Sequence, residues 1–117
     1  MTNITIQIGS KTFVATLFDN ASSRALLEML PMTITMIELN RNEKYYELPN
    51  ELPTNVQNLR TIKSGDLMLY GSDTLVLFYK SFTTSYSYTK LGYIEEVSGL
   101  EDALGGGNVQ VTFSLAE

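Results

Sequence analysis

Residues 81–92 read SFTTSYSYTKLG, a run in which almost every position before the lysine carries a hydroxyl. Phe82, Tyr86 and Tyr88 offer apolar ring faces, and Thr84, Ser85 and Ser87 offer donors and acceptors that can be reoriented. Aromatic faces with a few placed polar groups are what peptide and small-molecule pockets use. The competing assignment is a plain connection whose hydroxyls satisfy nearby backbone groups. The only cations at the stretch are Lys90 near its end and Lys80 just before it, so read alone it favours a neutral ligand. Tyr45 and Tyr46 are adjacent, so in a strand one faces the core and the other does not; an outward tyrosine beside Glu47 would line a groove, and Tyr46 is the candidate.

Other reactive groups are few. Asp66 follows Gly65 ahead of an apolar run, where desolvation would raise its pKa toward that of a general base. Asp beside Gly more simply accepts turn hydrogen bonds. Glu95 and Glu96 are neighbours in a strand-like segment and so face opposite ways. Gly105–Gly107 lacks the Lys-Ser/Thr that completes a phosphate loop and reads as a hinge. The chain has no cysteine and no histidine. Disulfides, thiolate nucleophiles, Ser-His-Asp devices and the usual zinc ligand sets are thereby excluded. The spacing of the acids matches no calcium loop. No cofactor or metal is expected.

A length of 117 residues with 44% hydrophobic and 18% charged residues suits one globular domain spanning 1–117. The net charge is −5 and the eight basic residues are scattered, so no stripe exists to displace counterions from nucleic acid or to hold an anionic membrane. No segment approaches the roughly 20 apolar residues of a membrane helix. MTNITIQIGS has neither a basic leader nor an apolar core and reads as a strand, so a cytoplasmic location is expected. A chain from which an export signal had been removed would read the same. The oligomeric state is left open.

Strand signals dominate. Ile4, Ile6 and Ile8 alternate with polar residues, and Gly9-Ser10 leads into a second strand over Thr12–Phe18. Asp19-Asn20 caps a helix of about three turns with an apolar face of Ala21, Ala25, Leu26, Met29 and Leu30, stopped by Pro31. Strands follow over Met32–Leu39 and Lys44–Leu48, then a long loop from Pro49 to Arg60. GDLMLYGSDTLVLFY reads as a hairpin whose second strand, Leu75–Tyr79, lacks polar alternation and must be covered on both faces. Tyr88–Glu95 is a further strand in which Gly92 marks a bulge or sharp bend. Ser98-Gly-Leu-Glu101 matches the capping-box pattern for a helix of about one turn, and Val109–Leu115 alternates as a closing strand. About eight strands, one main helix and one short helix predict an all-β fold, a sandwich or a closed barrel.

GDLMLYG, LVLFYKSF, YSYTKLGYIEE and LGGGNVQVTF closely resemble the small bacterial cyclophilin-like proteins, and NEKYYELP and IGSKTFVATLFDNASSRALLEMLP also fit. The resemblance covers nearly the whole chain. It implies a closed cyclophilin-like β-barrel with helices at its ends. Cyclophilins proper are longer peptidyl-prolyl isomerases with a phenylalanine-histidine-arginine strand motif, a tryptophan and a further histidine at the active face. This chain has neither histidine nor tryptophan, so none of those ligands maps onto it. Isomerisation needs only an apolar site and a donor to the proline nitrogen, which loses conjugation in the twisted state. Arg60, at the end of the proline-containing loop, is the candidate catalytic donor; the competing assignment is a solvated loop arginine. Three expectations follow: a non-catalytic module that binds a peptide or small neutral ligand, an atypical isomerase, or a protein-interaction domain.

Overall fold

The computed structural model describes residues 1–116. The chain order is β1 (Thr2–Ile8), β2 (Lys11–Leu17), α1 (Ala21–Leu27), β3 (Met32–Leu39), β4 (Glu43–Glu47), β5 (Thr61–Ile62), β6 (Asp66–Tyr70), β7 (Thr74–Phe78), β8 (Phe82–Thr83), β9 (Thr89–Ile94), α2 (Leu100–Leu104) and β10 (Val109–Leu115). Eight strands close into an antiparallel barrel in the order β1-β10-β3-β4-β7-β6-β9-β2, and β5 pairs with β8 outside it. Closure removes the unpaired edges that an open sheet of these strands would expose.

Period-two alternation decides what lies inside. Ile4, Ile6, Ile34, Met36, Leu75 and Leu77 belong to the barrel's main core, with Phe113 and Val111 of the closing strand. On β7 the intervening Val76 and Phe78 are also buried, in a second cluster on the outer face with Ile62, Met68 and Tyr88. The uninterrupted apolar run is therefore covered twice, as expected. Gly92 sits where β9 crosses β2 and next to a register shift between β6 and β9. A Cβ there would lie 2.3 Å from the Thr16 carbonyl oxygen, so only glycine allows the approach.

Two local expectations are corrected. The helix after Asn20 ends at Leu27 instead of running to Leu30. Asn20 caps it as expected, accepting from the Ser23 N–H, but Met29 and Leu30 donate to Leu26 and Leu27 in three-residue turns that tighten the exit toward Pro31. Ser98 does not cap α2. Gly99 holds the cap position at φ 83, and the Ser98 N–H turns back to the Glu96 carboxylate.

The barrel encloses one charge. Lys44 is fully buried beside Leu77, and its ammonium is held by the Glu38 carboxylate at 3.0 Å and the carbonyls of Gly105 and Gly107. All three of its N–H donors are thus satisfied. The Tyr79 hydroxyl donates to the same Glu38 oxygen and the Arg41 N–H to the other. Burial works against the Glu38 carboxylate, but these donors outweigh it and hold its pKa below the ordinary value. The glycine run after α2 is pinned to the barrel by its carbonyls. No helix among the described residues is long and apolar enough to cross a membrane.

Candidate functional site

The outer face of β4, β7 and β6 is the floor of a cleft of about 560 Å³, within the ~300–1,000 Å³ typical of ligand sites. Strand parity builds the floor. Because Lys44 and Tyr46 pair with the core residues Leu77 and Leu75, the alternate residues Glu43, Tyr45 and Glu47 face outward beside Thr74, Val76 and Tyr70. Residues 82–86 and Tyr88 form the wall, and Asn40 and Asn42 of the β3–β4 turn close one end.

The wall is tied down at several points. Ile62 pairs with Phe82 and Thr61 with Thr83, the Thr84 N–H donates to the Arg60 carbonyl at 2.8 Å, and Gln57 and Tyr88 exchange both backbone hydrogen bonds at 2.9 Å. Rings complete the attachment: Tyr88 meets Phe78 edge-on at 5.4 Å, and Tyr70 meets Tyr86 at 6.1 Å. Each such pair adds about 0.5–1.5 kcal/mol beyond area burial. The loop from Pro49 to Arg60 and the hydroxyl run thus hold one another against the barrel.

At the closed end lies Glu43, only 8% exposed. Burial, reinforced by the nearby Glu38 charge, pushes its carboxyl up to about 7. Burial also raises the Tyr88 hydroxyl, to about 12, with the Glu43 charge adding to the effect. The Asn42 side-chain carbonyl is buried without a donor. Among the described residues no cluster of three or more acidic side chains is placed to hold a metal ion. The arrangement can stack apolar or aromatic groups on its tyrosines, accept hydrogen bonds at its closed end, and hold a proton near neutrality.

Residues 6–114 match the profile of the cyclophilin-like family. The chain belongs to the cyclophilin-like family. Its barrel is similar to the solution structure of a hypothetical protein from Archaeoglobus fulgidus, with a TM-score of 0.62 and 17% identity over 98% of this chain and 95% of that one. At that identity the likeness speaks to the fold. No curated protein sequence matches the chain.

In this cyclophilin-like protein five of the expected ligand-binding residues converge: Phe82, Thr84, Ser85, Tyr86 and Tyr88 all line the cleft. Tyr46 does not; it packs half-buried against the main core, and Tyr45 takes the outward place. Arg60 does not line the cleft either. Its side chain is exposed, its backbone sits at φ 65, and its N–H donates to the Asn58 side chain. Asp66 accepts from the Lys63 N–H across a turn, with burial raising its pKa against that hydrogen bond. The residues missed by sequence reasoning are Glu43, Tyr45, Glu47 and Tyr70. The period-two series Glu43, Tyr45, Glu47 just before Leu48-Pro49 was the available signal, since it places an acid, an aromatic and an acid on one strand face.

Proposed function

We propose that this cyclophilin-like protein is a binding module that holds a peptide or small ligand in the outer-face cleft without changing it chemically. The observation that carries the reading is the cleft itself. Its wall is a conformationally restrained segment, five of its lining residues are aromatic, and its closed end holds a buried acid, Glu43. Prior restraint of a wall lowers the entropy lost on binding. The test is a ligand screen by thermal shift, since anything bound to the native state raises the melting temperature. Hits should lose affinity in Tyr86→Ala and Tyr45→Ala; Tyr86 is 62% exposed, so its truncation leaves the fold intact. Hits that ignore both variants overturn the assignment of the cleft.

One observation favours an isomerase as the second reading. A desolvated carboxyl that keeps its proton to about pH 7 is a donor for the nitrogen of a twisting prolyl amide. Exchange spectroscopy on a capped Ala-Pro peptide tests it. Catalysis by Glu43 would fade as pH rises through 7 and vanish in Glu43→Met; a rate equal to the uncatalysed one at pH 6 removes this reading.

A further inference from the structure

We propose that the natural ligand of the cleft carries a cationic nitrogen, an amine-type N–H donor seated against Glu43 with the faces of Tyr45 and Tyr88 beside it. This rests on the cleft being a ligand site. The charge inventory leads there. Glu43 and Glu47 are the charged residues lining the cleft, and no lysine or arginine lines it. The cations nearest in sequence lie elsewhere, and Arg41, exposed on the β3–β4 turn, lines a separate pocket with Tyr79 and Lys80. Lys44 is turned to the barrel interior and held by Glu38, Lys80 pairs with Glu101 at 2.9 Å, and Lys90 lies over the Phe18 ring at 5.9 Å. The neutral ligand suggested by residues 81–90 alone took no account of the β4 floor.

Glu43 is nine-tenths buried, and no hydrogen bond or ion pair from another described residue reaches its carboxylate. Its neighbour Asn42 presents a buried carbonyl oxygen that also lacks a donor. A buried carboxylate is normally paired, because leaving it unpaired carries a large desolvation penalty. An unpaired buried acid with no lining counter-charge, at one end of an aromatic cleft, makes a site that is completed by a donor of positive charge. Tyrosine faces attract the same charge through their quadrupoles. Glu47 lies four residues along the same strand face, roughly 13 Å away at the strand rise, too far to share a single ion with Glu43. The other ionisable groups around Glu43 are Glu38 on β3, Tyr45 and Glu47 on β4, Tyr79 after β7, Tyr70 on β6, and Tyr86 and Tyr88 on the wall. All of these are acids; the cations flanking Glu43 in the chain, Arg41 and Lys44, do not line the cleft, and Lys44 is paired with Glu38 on the other face of the strand.

Two matched probe pairs test the inference by NMR titration of the labelled protein. Phenethylamine is compared with 2-phenylethanol, and acetyl-Phe-Lys-amide with acetyl-Phe-norleucine-amide, at pH 5.5, 6.5, 7.5 and 8.5. Alkylamines titrate near pH ~10, so the charged probes keep their charge throughout. The charged member of a pair should bind about tenfold or more tightly than its neutral partner at pH 8.5, shifting the amides of residues 42–47 and 82–88. Below pH 7 that advantage should shrink toward tenfold per pH unit as Glu43 takes up a proton. Glu43→Gln should abolish both the advantage and its pH dependence. Whichever pair shows the larger advantage separates a free amine from a basic peptide side chain. Neutral members that bind equally well at pH 8.5, or an advantage that grows on acidification, would overturn the cation and leave the cleft standing. Four probes that leave the cleft amides unmoved would overturn both.

Discussion

Replacing Glu43 by Gln should make the protein more stable, and the gain should depend on pH in a defined way. The ordinary value for this carboxyl is 4.5, and burial in the folded protein raises it to about 7. The unfolded chain therefore releases the proton near pH 4.5 while the folded chain holds it. Between those values the folded state binds more protons, so stability falls as pH rises. Below about 4.5 both states are protonated and Glu43 contributes nothing; above 7 the full penalty is present. Each tenfold step in the proton equilibrium is worth about 1.4 kcal/mol. Carried from 4.5 to 7, that gives roughly 3 kcal/mol, and contact of the carboxyl with cleft water brings it nearer 2 kcal/mol. Against a total stability of about 5–15 kcal/mol this is a large effect.

Urea unfolding of the wild type and Glu43→Gln from pH 4 to 8.5 measures it. The variant should gain roughly 2–3 kcal/mol at pH 8, about 8–12 °C in Tm, and nothing at pH 4. Glu38 acts with the opposite sign. Its folded pKa is lowered, so its contribution is present above the unfolded value and disappears as pH falls through the folded one. Its limb lies at the acid end and does not overlap the neutral limb of Glu43. Wild-type stability that stays flat from pH 5 to 8, or a variant no more stable at pH 8, would mean that the carboxylate is well solvated or internally paired, and the desolvation argument would fail. A destabilising acid at the end of a cleft is the expected signature of a group kept for binding at the expense of stability.

Lys44→Met should cost about 3–5 kcal/mol by the same unfolding assay, because it strands the Glu38 carboxylate and the Gly105 and Gly107 carbonyls together; a loss below 1 kcal/mol would show that the network adds no net stability. Gly92→Ala should cost at least about 3 kcal/mol, since the clash is with backbone atoms of β2 and no side-chain rotation relieves it; a melting temperature within a few degrees of wild type would show that β2 and β9 can part.

Much of the barrel was readable because its strands alternate cleanly. The two-sided burial of Leu75–Phe78 was readable for the opposite reason, the lack of alternation, and it correctly implied a cover over the outer face. The hydroxyl run was readable as either a pocket lining or a plain connection, because residue types alone do not say which strands lie beneath it. The facing of Tyr45 and Tyr46 could not be read. Adjacency says only that the two differ, and the choice is made by the register of β4 on β7, with Tyr46 opposite Leu75. The burial of Glu43 was hidden for a longer-range reason. It pairs with Phe78, which is covered by Phe82 and Tyr88, residues about forty positions downstream in sequence. The Ser98 cap failed because Gly99, at positive φ, entered the helix by a backbone path that glycine takes at no steric cost.

The sharpest lesson lies in two consecutive residues. Glu43 and Lys44 are neighbours of opposite charge, and both are nearly removed from solvent. A strand sends neighbours to opposite faces, so the barrel wall stands between them. Inside, Lys44 finds a carboxylate and two carbonyls and becomes part of the scaffold. Outside, Glu43 finds aromatic rings and no lining cation, and burial, with the Glu38 charge behind it, raises its pKa. Folding has satisfied one charge completely and left the other unsatisfied beside a cleft. The charge that holds the scaffold and the charge that lines the cleft are separated by the thickness of one sheet, and a counter-ion is what the second acid lacks.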